Sequence, residues 1–339
     1  MDTAVSKDSG VYYSGSYWND LPLVLEYMCE NFTGDKKKWW MNDFQERFCQ
    51  SPFEHGLFIN CGNGWVERTF VDLKIVNRAS AFDYSFELIQ EAQRERGDRK
   101  INYLQADVNR IDFDSEQFDL IVNVAALHHV QYINRFCAIL CKAIKKNGLF
   151  VNYDYIGPHR NQYSRKHWGY IKEINQSLPN PIRKEPLIKP HLPTMLHVDP
   201  TEAIHSELII ETVQRYFDIF ERHDTGGGLA YEVLTHNANL QGIPSEALDP
   251  HIKWLLDMDR KYTEEKRVPP LFSYFIAKPK KKVLENEELL ETYQVDENVR
   301  ERRAHTQRGT YSKSDYLILL NNSLDNWWVH SKLKRIIHK

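Results

Sequence analysis

The chain has 339 residues, 42% of them hydrophobic and 12% aromatic, with a formal net charge of −3. That length exceeds one minimal domain and suits a large α/β domain with insertions, or a domain plus an appendage. The near balance of acids and bases excludes the strong positive field of a nucleic-acid binder, so no nucleic-acid partner is expected.

The first ten residues, MDTAVSKDSG, are polar and do not read as a signal peptide. No apolar run reaches the length of a membrane span. A soluble, cytoplasmic protein is therefore expected. The five cysteines are odd in number and form no CxxC pair. They read as free, buried thiols, with Cys137 and Cys141 four apart on one helix.

Residues 11 to 50 look helical and aromatic, with Tyr12, Tyr13, Tyr17, Trp18, Trp39 and Trp40, and residues 1–50 are read as a helical cap. From 57 to about 155, short apolar runs alternate with longer amphipathic stretches. Strands are expected at Leu57–Asn60, Lys74–Phe82, Ile101–Gln105, Phe118–Val122 and Gly148–Tyr153, with helices at Ser85–Arg96 and Tyr132–Lys145 between them. Strands that alternate with helices imply βαβ units and a parallel sheet. Residues 157–200 carry Pro158, Pro179, Pro181, Pro186, Pro190 and Pro193, a composition expected to hold no long helix. Residues 157–212 are read as an insertion over the sheet. Strands return at Phe217–Arg222 and Leu271–Ala277, with a helix over 251–266, making seven strands in a domain of residues 51–278. Residues 279–339 form a charged C-terminal appendage.

The most informative stretch is Leu57-Phe58-Ile59-Asn60-Cys61-Gly62-Asn63-Gly64-Trp65-Val66-Glu67. It reads as a strand, a glycine turn and a helix start. Glycine there lets a ligand approach the backbone, and the helix N-terminus offers unpaired N–H groups to a carboxylate. Asp83, at the end of the next strand and about twenty residues on, is placed to accept from both hydroxyls of a ribose. The third strand ends at Gln105-Ala106-Asp107-Val108, where a side-chain acceptor and a backbone N–H could read an adenine edge. The dinucleotide fingerprint GxGxxG is not met, because Gly64 is followed by Trp65, Val66 and Glu67.

With these features, residues 57–155 resemble the class I methyltransferases that use S-adenosylmethionine. The resemblance implies a Rossmann-like seven-stranded sheet with the last strand antiparallel. It implies cofactor contacts from Asn60, Cys61, Gly62 and Gly64, from Asp83 to the ribose, from Asp107 and Val108 to the adenine, and from Val124 and Ala125 to the methionine part. The loop departs from the family pattern, with Asn60 for the first glycine and Phe58 for an acid; Asn tolerates left-handed backbone better than other non-glycine residues. The segments Tyr17-Trp18-Asn19-Asp20, Leu127-His128-His129-Val130, Tyr155-Ile156-Gly157-Pro158, Asp199-Pro200-Thr201-Glu202-Ala203 and Gly226-Gly227-Gly228 resemble a bacterial subgroup often found among surface-glycan genes.

On the acceptor side, an alcohol needs a base. His129 is the first candidate, Asp154 at the end of the fifth strand is expected to orient a histidine or the acceptor, and His159 is a further catalytic candidate. Arg160, Gln162 and Tyr163 are expected to bind the acceptor, an Arg fork suiting a phosphate or carboxylate. His197 and Asp199, with His191 nearby, lack a further ligand at useful spacing, so no metal is expected. The expected substrate is a small-molecule or glycan-linked acceptor, with a sugar hydroxyl or phosphate-type group. The alternative is a catalytically inactive scaffold. The basic, Trp-containing segment 324–339 is weighed as a contact to a membrane surface or a partner subunit, and homo-oligomerisation stays open.

Overall fold

The computed structural model describes residues 16–293; residues 1–15 and 294–339, including Tyr12, Tyr13 and the segment 324–339, lie outside the described residues. Two helices come first: α1 (Pro22–Thr33) and α2 (Trp40–Phe48). Then β1 (Phe53–Ile59), α3 (Trp65–Asp72), β2 (Val76–Asp83), α4 (Phe86–Glu95), β3 (Ile101–Gln105) and β4 (Phe118–Val124) alternate. The order continues with α5 (Ile133–Ala143), β5 (Ile144–Tyr155), α6 (Arg165–Ser177), α7 (Leu192–Val198) and α8 (Ile209–Tyr216). It closes with β6 (Phe217–Thr225), α9 (Ala230–Leu234), α10 (Ser245–Glu264) and β7 (Phe272–Pro279).

The seven strands form one sheet in the order β3-β2-β1-β4-β5-β7-β6. Every pairing is parallel except those of β7, which runs antiparallel to both β5 and β6. Side chains alternate across the sheet. Phe58, Val122, Val151 and Tyr274 face the layer that includes α1, α2 and α3. Leu57, Ile59, Ile121 and Phe150 face α5 and α8. Both faces are covered, so the central strands read as continuous apolar runs. The order reverses between β1 and β4, which opens a crevice at their carboxyl ends. The expected Rossmann-like, seven-stranded sheet with its last strand antiparallel is thus present.

Three sequence expectations change. The proline-rich stretch does hold a helix, the thirteen-residue α6. Its prolines flank residues 165–177 rather than interrupt them, and the Ser164 hydroxyl caps it by accepting from His167 N–H at 3.1 Å. Helix α8 packs on α5, so it belongs to the sheet's own helical layer and the insertion ends before it. The appendage also does not begin at residue 279 as a separate piece. Lys281 Nζ donates to the carbonyls of Cys141 and Lys142, and Leu284, Leu290 and Tyr293 pack against the α5–α8 layer. A chain ended after Tyr293 is therefore expected to keep its fold and its cofactor affinity. A chain ended after Lys280 should melt at lower temperature because it uncovers that layer, and equal melting points for the two would contradict this. All five cysteines are free thiols. Among the described residues, no helix is long and apolar enough to cross a membrane.

Candidate active site

The loop after β1 needs left-handed backbone at three positions. Asn60 has φ 44°, Gly62 φ 56° and Gly64 φ 82°. Asn60 fills the first of these, as its side chain allows. At Gly64 a Cβ would come within 2.5 Å of the Tyr103 hydroxyl and 2.9 Å of Ala92 Cβ, so glycine is required there for packing as well as conformation. The loop delivers the chain to α3, whose first N–H groups have no partner within the helix. Cys61 is buried and its N–H donates to the Phe82 carbonyl at 2.9 Å, holding the loop to β2.

Asp83 closes β2 beneath this loop. Its Oδ2 accepts from Gly62 N–H at 2.9 Å and its Oδ1 from Ser85 N–H at 2.8 Å. Burial raises its pKa, against the pull of those backbone N–H groups. Asp107 sits in the turn after β3; its Oδ1 accepts from Asn109 N–H at 2.8 Å, beside the buried Val108. Val124 ends β4, and the next residue, Ala125, is held at φ 52° with its N–H on the Tyr153 carbonyl. These residues all lie along the carboxyl edge around the β1–β4 crevice. A nest of N–H groups at α3 and carboxylates at two strand ends form a donor and acceptor set that suits a nucleoside carrying an amino-acid tail.

A second cluster stands at the end of β4. Asp154 on β5 is fully buried, and its oxygens accept from Asn123 Nδ2, from Ala126 and Leu127 N–H, and from His128 Nδ1 at 2.5 Å. Asp154 thus orients His128 and the turn Leu127–His129. Burial alone would lower the His128 pKa, but the Asp154 charge and hydrogen bond raise it to about 9. The His128 and His129 rings lie 4.1 Å apart between centroids. Burial, then the neighbouring His128, lower the His129 pKa, so it is neutral at pH 7.

The insertion brings its own residues to the two histidines. Asp199 Oδ1 accepts from Thr201 N–H and from the Thr201 hydroxyl, and so folds Asp199–Glu202 into a tight turn. Thr201 Oγ1 lies 3.2 Å from His129 Nδ1. Since that hydroxyl donates to Asp199, it accepts from His129 Nδ1–H, and Nε2 keeps the lone pair. Glu202 Oε2 lies 3.8 Å from both His128 Nε2 and His129 Nε2. The segments Leu127–Val130 and Asp199–Ala203, singled out separately in the sequence, thus meet.

The expected acceptor binders have structural duties instead. Arg160 is buried, and its Nη1 donates to the carbonyls of Pro200 and Glu202. Gln162 Nε2 donates to the carbonyls of Arg160 and Pro190. Tyr163 is wholly buried against His167 and Trp168. These three hold the insertion in place. His159 pairs with Glu207 at 3.2 Å. Trp18 is core, stacked on Phe272 at 5.4 Å. Sequence reasoning missed Glu202 and gave His128 no role; the Asp-Pro-Thr-Glu turn was visible, but not what it faces.

Residues 57–152 match the family described as "Methyltransferase domain". A sterol 24-C-methyltransferase from Clavispora lusitaniae is 26% identical over 136 residues, which cover 38% of this chain and 36% of that protein. One from Debaryomyces hansenii is 26% identical over 137 residues, with the same shares. The chain thus spans little more than a third of the length of these curated relatives. An S-adenosylmethionine dependent methyltransferase from Mesorhizobium loti superposes with a TM-score of 0.42 at 16% identity, covering 67% of this chain and 91% of that one. Residues 57–152 are thus similar to a methyltransferase domain, and they supply most of the first five strands of the seven-stranded sheet.

Proposed function

We propose that this protein transfers the methyl group of S-adenosylmethionine to a hydroxyl of a small or glycan-linked acceptor. The observation that carries the reading is the place of His129, just past the end of β4 and beside the Asp83 and glycine-loop end of the sheet, with Nδ1 held on Thr201 Oγ1 at 3.2 Å so that Nε2 is left for an acceptor. The cofactor supplies an activated methyl on a sulfonium. The loop at Asn60–Gly64, Asp83, Asp107, Val108 and Val124 would hold it. His129 Nε2 would take the acceptor's proton, and Asp154 keeps the turn that carries His129 rigid.

The surroundings favour a neutral polyol over a phosphate. Asp199 and Glu202 both lie within 3.9 Å of His129 and would repel an anion, and Arg160 is engaged with backbone carbonyls. Carboxylates are good acceptors for sugar hydroxyls. A sugar hydroxyl is therefore the preferred target over the phosphate-type group.

The cofactor part of the reading is tested at Asp83. Asp83→Ala is expected to weaken binding of S-adenosylmethionine and of its demethylated product by about ten- to a hundredfold, the worth of hydrogen bonds to a charged group. Calorimetry on the folded variant measures this, with NAD as the ligand that should not bind. Unchanged affinity would remove Asp83 from the site.

A further inference from the structure

The three side chains at the end of β4 are arranged as metal ligands are. His128 Nε2, His129 Nε2 and a Glu202 oxygen lie within 4.8 Å of one another, and both nitrogens are 3.8 Å from the same Glu202 Oε2. Atoms bound to one ion at about 2.1 Å and tetrahedral angles stand about 3.4 Å apart, so both Glu202–histidine separations are only slightly longer than an occupied site needs. Neither 3.8 Å separation is a hydrogen bond.

The second observation is independent of the cluster's spacing. Each histidine has its other nitrogen anchored, His128 Nδ1 on the buried Asp154 carboxylate at 2.5 Å and His129 Nδ1 on Thr201 Oγ1 at 3.2 Å, itself tied to Asp199 at 2.7 Å. An outer carboxylate or hydroxyl that fixes the ring and turns Nε2 inward is the usual support for a ligating histidine. Asp154 is in turn fixed by Asn123 and two backbone N–H groups, so the support is rigid.

We propose that His128, His129 and Glu202 form a binding site for a divalent transition-metal ion. Two imidazoles and one carboxylate suit Zn²⁺, Co²⁺ or Fe²⁺ better than Mg²⁺, which prefers an all-oxygen octahedral shell. Three protein ligands leave open positions for water or an acceptor hydroxyl, as in catalytic rather than structural sites. An ion at the site takes the place of any proton on the two Nε2 atoms, and that proton passes to solvent. The site also explains why the insertion is braced so firmly, since Arg160 holds the backbone on either side of Thr201 at Pro200 and Glu202.

The test uses the full chain, freed of metal with a chelator and titrated with Zn²⁺ alone by calorimetry. One ion per chain is expected. Glu202→Gln, which keeps the shape of the side chain, should lose that binding. Asp154→Asn should weaken it by about 10–100-fold through the loss of ring support. Co²⁺ in place of Zn²⁺ should give visible ligand-field bands in the wild type that Glu202→Gln lacks. Absence of a bound ion, or an ion held equally by wild type and Glu202→Gln, would overturn the proposal. Binding is measured with neither cofactor nor acceptor present. Its failure therefore leaves the methyl-transfer reading standing, and failure of the Asp83 test leaves the metal site standing.

Discussion

Replacing His129 with Ala is expected to lower turnover by about 10²–10⁴-fold, with cofactor affinity kept. The size follows from what the side chain supplies. A hydroxyl is a poor nucleophile until its proton is leaving, and a positioned base removes that cost in the transition state alone. His129 is suited to this because its Nδ1–H is committed to Thr201, which leaves the lone pair on Nε2, 3.8 Å from Glu202 Oε2. The other candidates are less suited. Asp154 has its oxygens filled by buried donors, and His128 is held protonated by Asp154. If the site carries an ion, His129 and His128 would hold it with Glu202, and the ion would supply Lewis acidity to the acceptor hydroxyl, whose proton would pass to solvent. The substitution is then equally damaging, but turnover also falls on chelation and returns with Zn²⁺. Steady-state kinetics with and without chelator separates the two roles. Near-normal turnover in His129→Ala would remove both and leave His159, paired with Glu207, as the remaining candidate.

Glu67→Gln is expected to stabilise the fold at pH 8 by about 3 kcal/mol and by almost nothing at pH 4. Glu67 stands in the first turn of α3 and is wholly buried. Burial raises its carboxyl from 4.5 to about 7, outweighing the favourable pull of its own backbone N–H, the Tyr103 hydroxyl and Arg68. A carboxyl whose folded pKa lies above its unfolded value makes the folded state bind the extra proton in between. Stability therefore falls as pH rises from about 4.5 through about 7, and the cost is complete above that window. Glutamine fills the same volume without ionising, so its advantage over Glu should grow across that window. Denaturant unfolding at the two pH values measures this. An equal difference at both would show that Glu67 is ionised or neutral throughout. Because Glu67 lies directly beneath the glycine loop, the loop's rigidity should vary over the same range.

The alternation of strand and helix between residues 57 and 155 was readable from apolar periodicity and turn residues. β3 falls at the expected Ile101–Gln105, and the other strands differ only at their ends. Strand ends are set by hydrogen bonding to neighbours, which the pattern of one strand does not contain. The glycine turn, with Asn60 in the left-handed region, was also legible, because conformational tolerance is a property of the residue itself. So was the place of Asp83 at a strand end, since spacing along the chain fixes it.

The helix at Arg165–Ser177 was missed because proline content was averaged over a stretch whose interior contains none. Arg160 was taken for an anion reader because side-chain chemistry alone cannot show that backbone carbonyls of Pro200 and Glu202 would claim it. The sequence by itself determined the order of elements, the cofactor-side turn and the strand ends, because each depends on local conformation and short-range periodicity. Only the tertiary structure decided which histidine is paired with Asp154, which is left neutral, and that Glu202 joins them. Those facts depend on a long insertion folding back over the end of β4, where Ile204 N–H reaches the His128 carbonyl at 2.9 Å. Burial and charge pairing at such a junction arise from contacts between distant segments, and no local pattern encodes them.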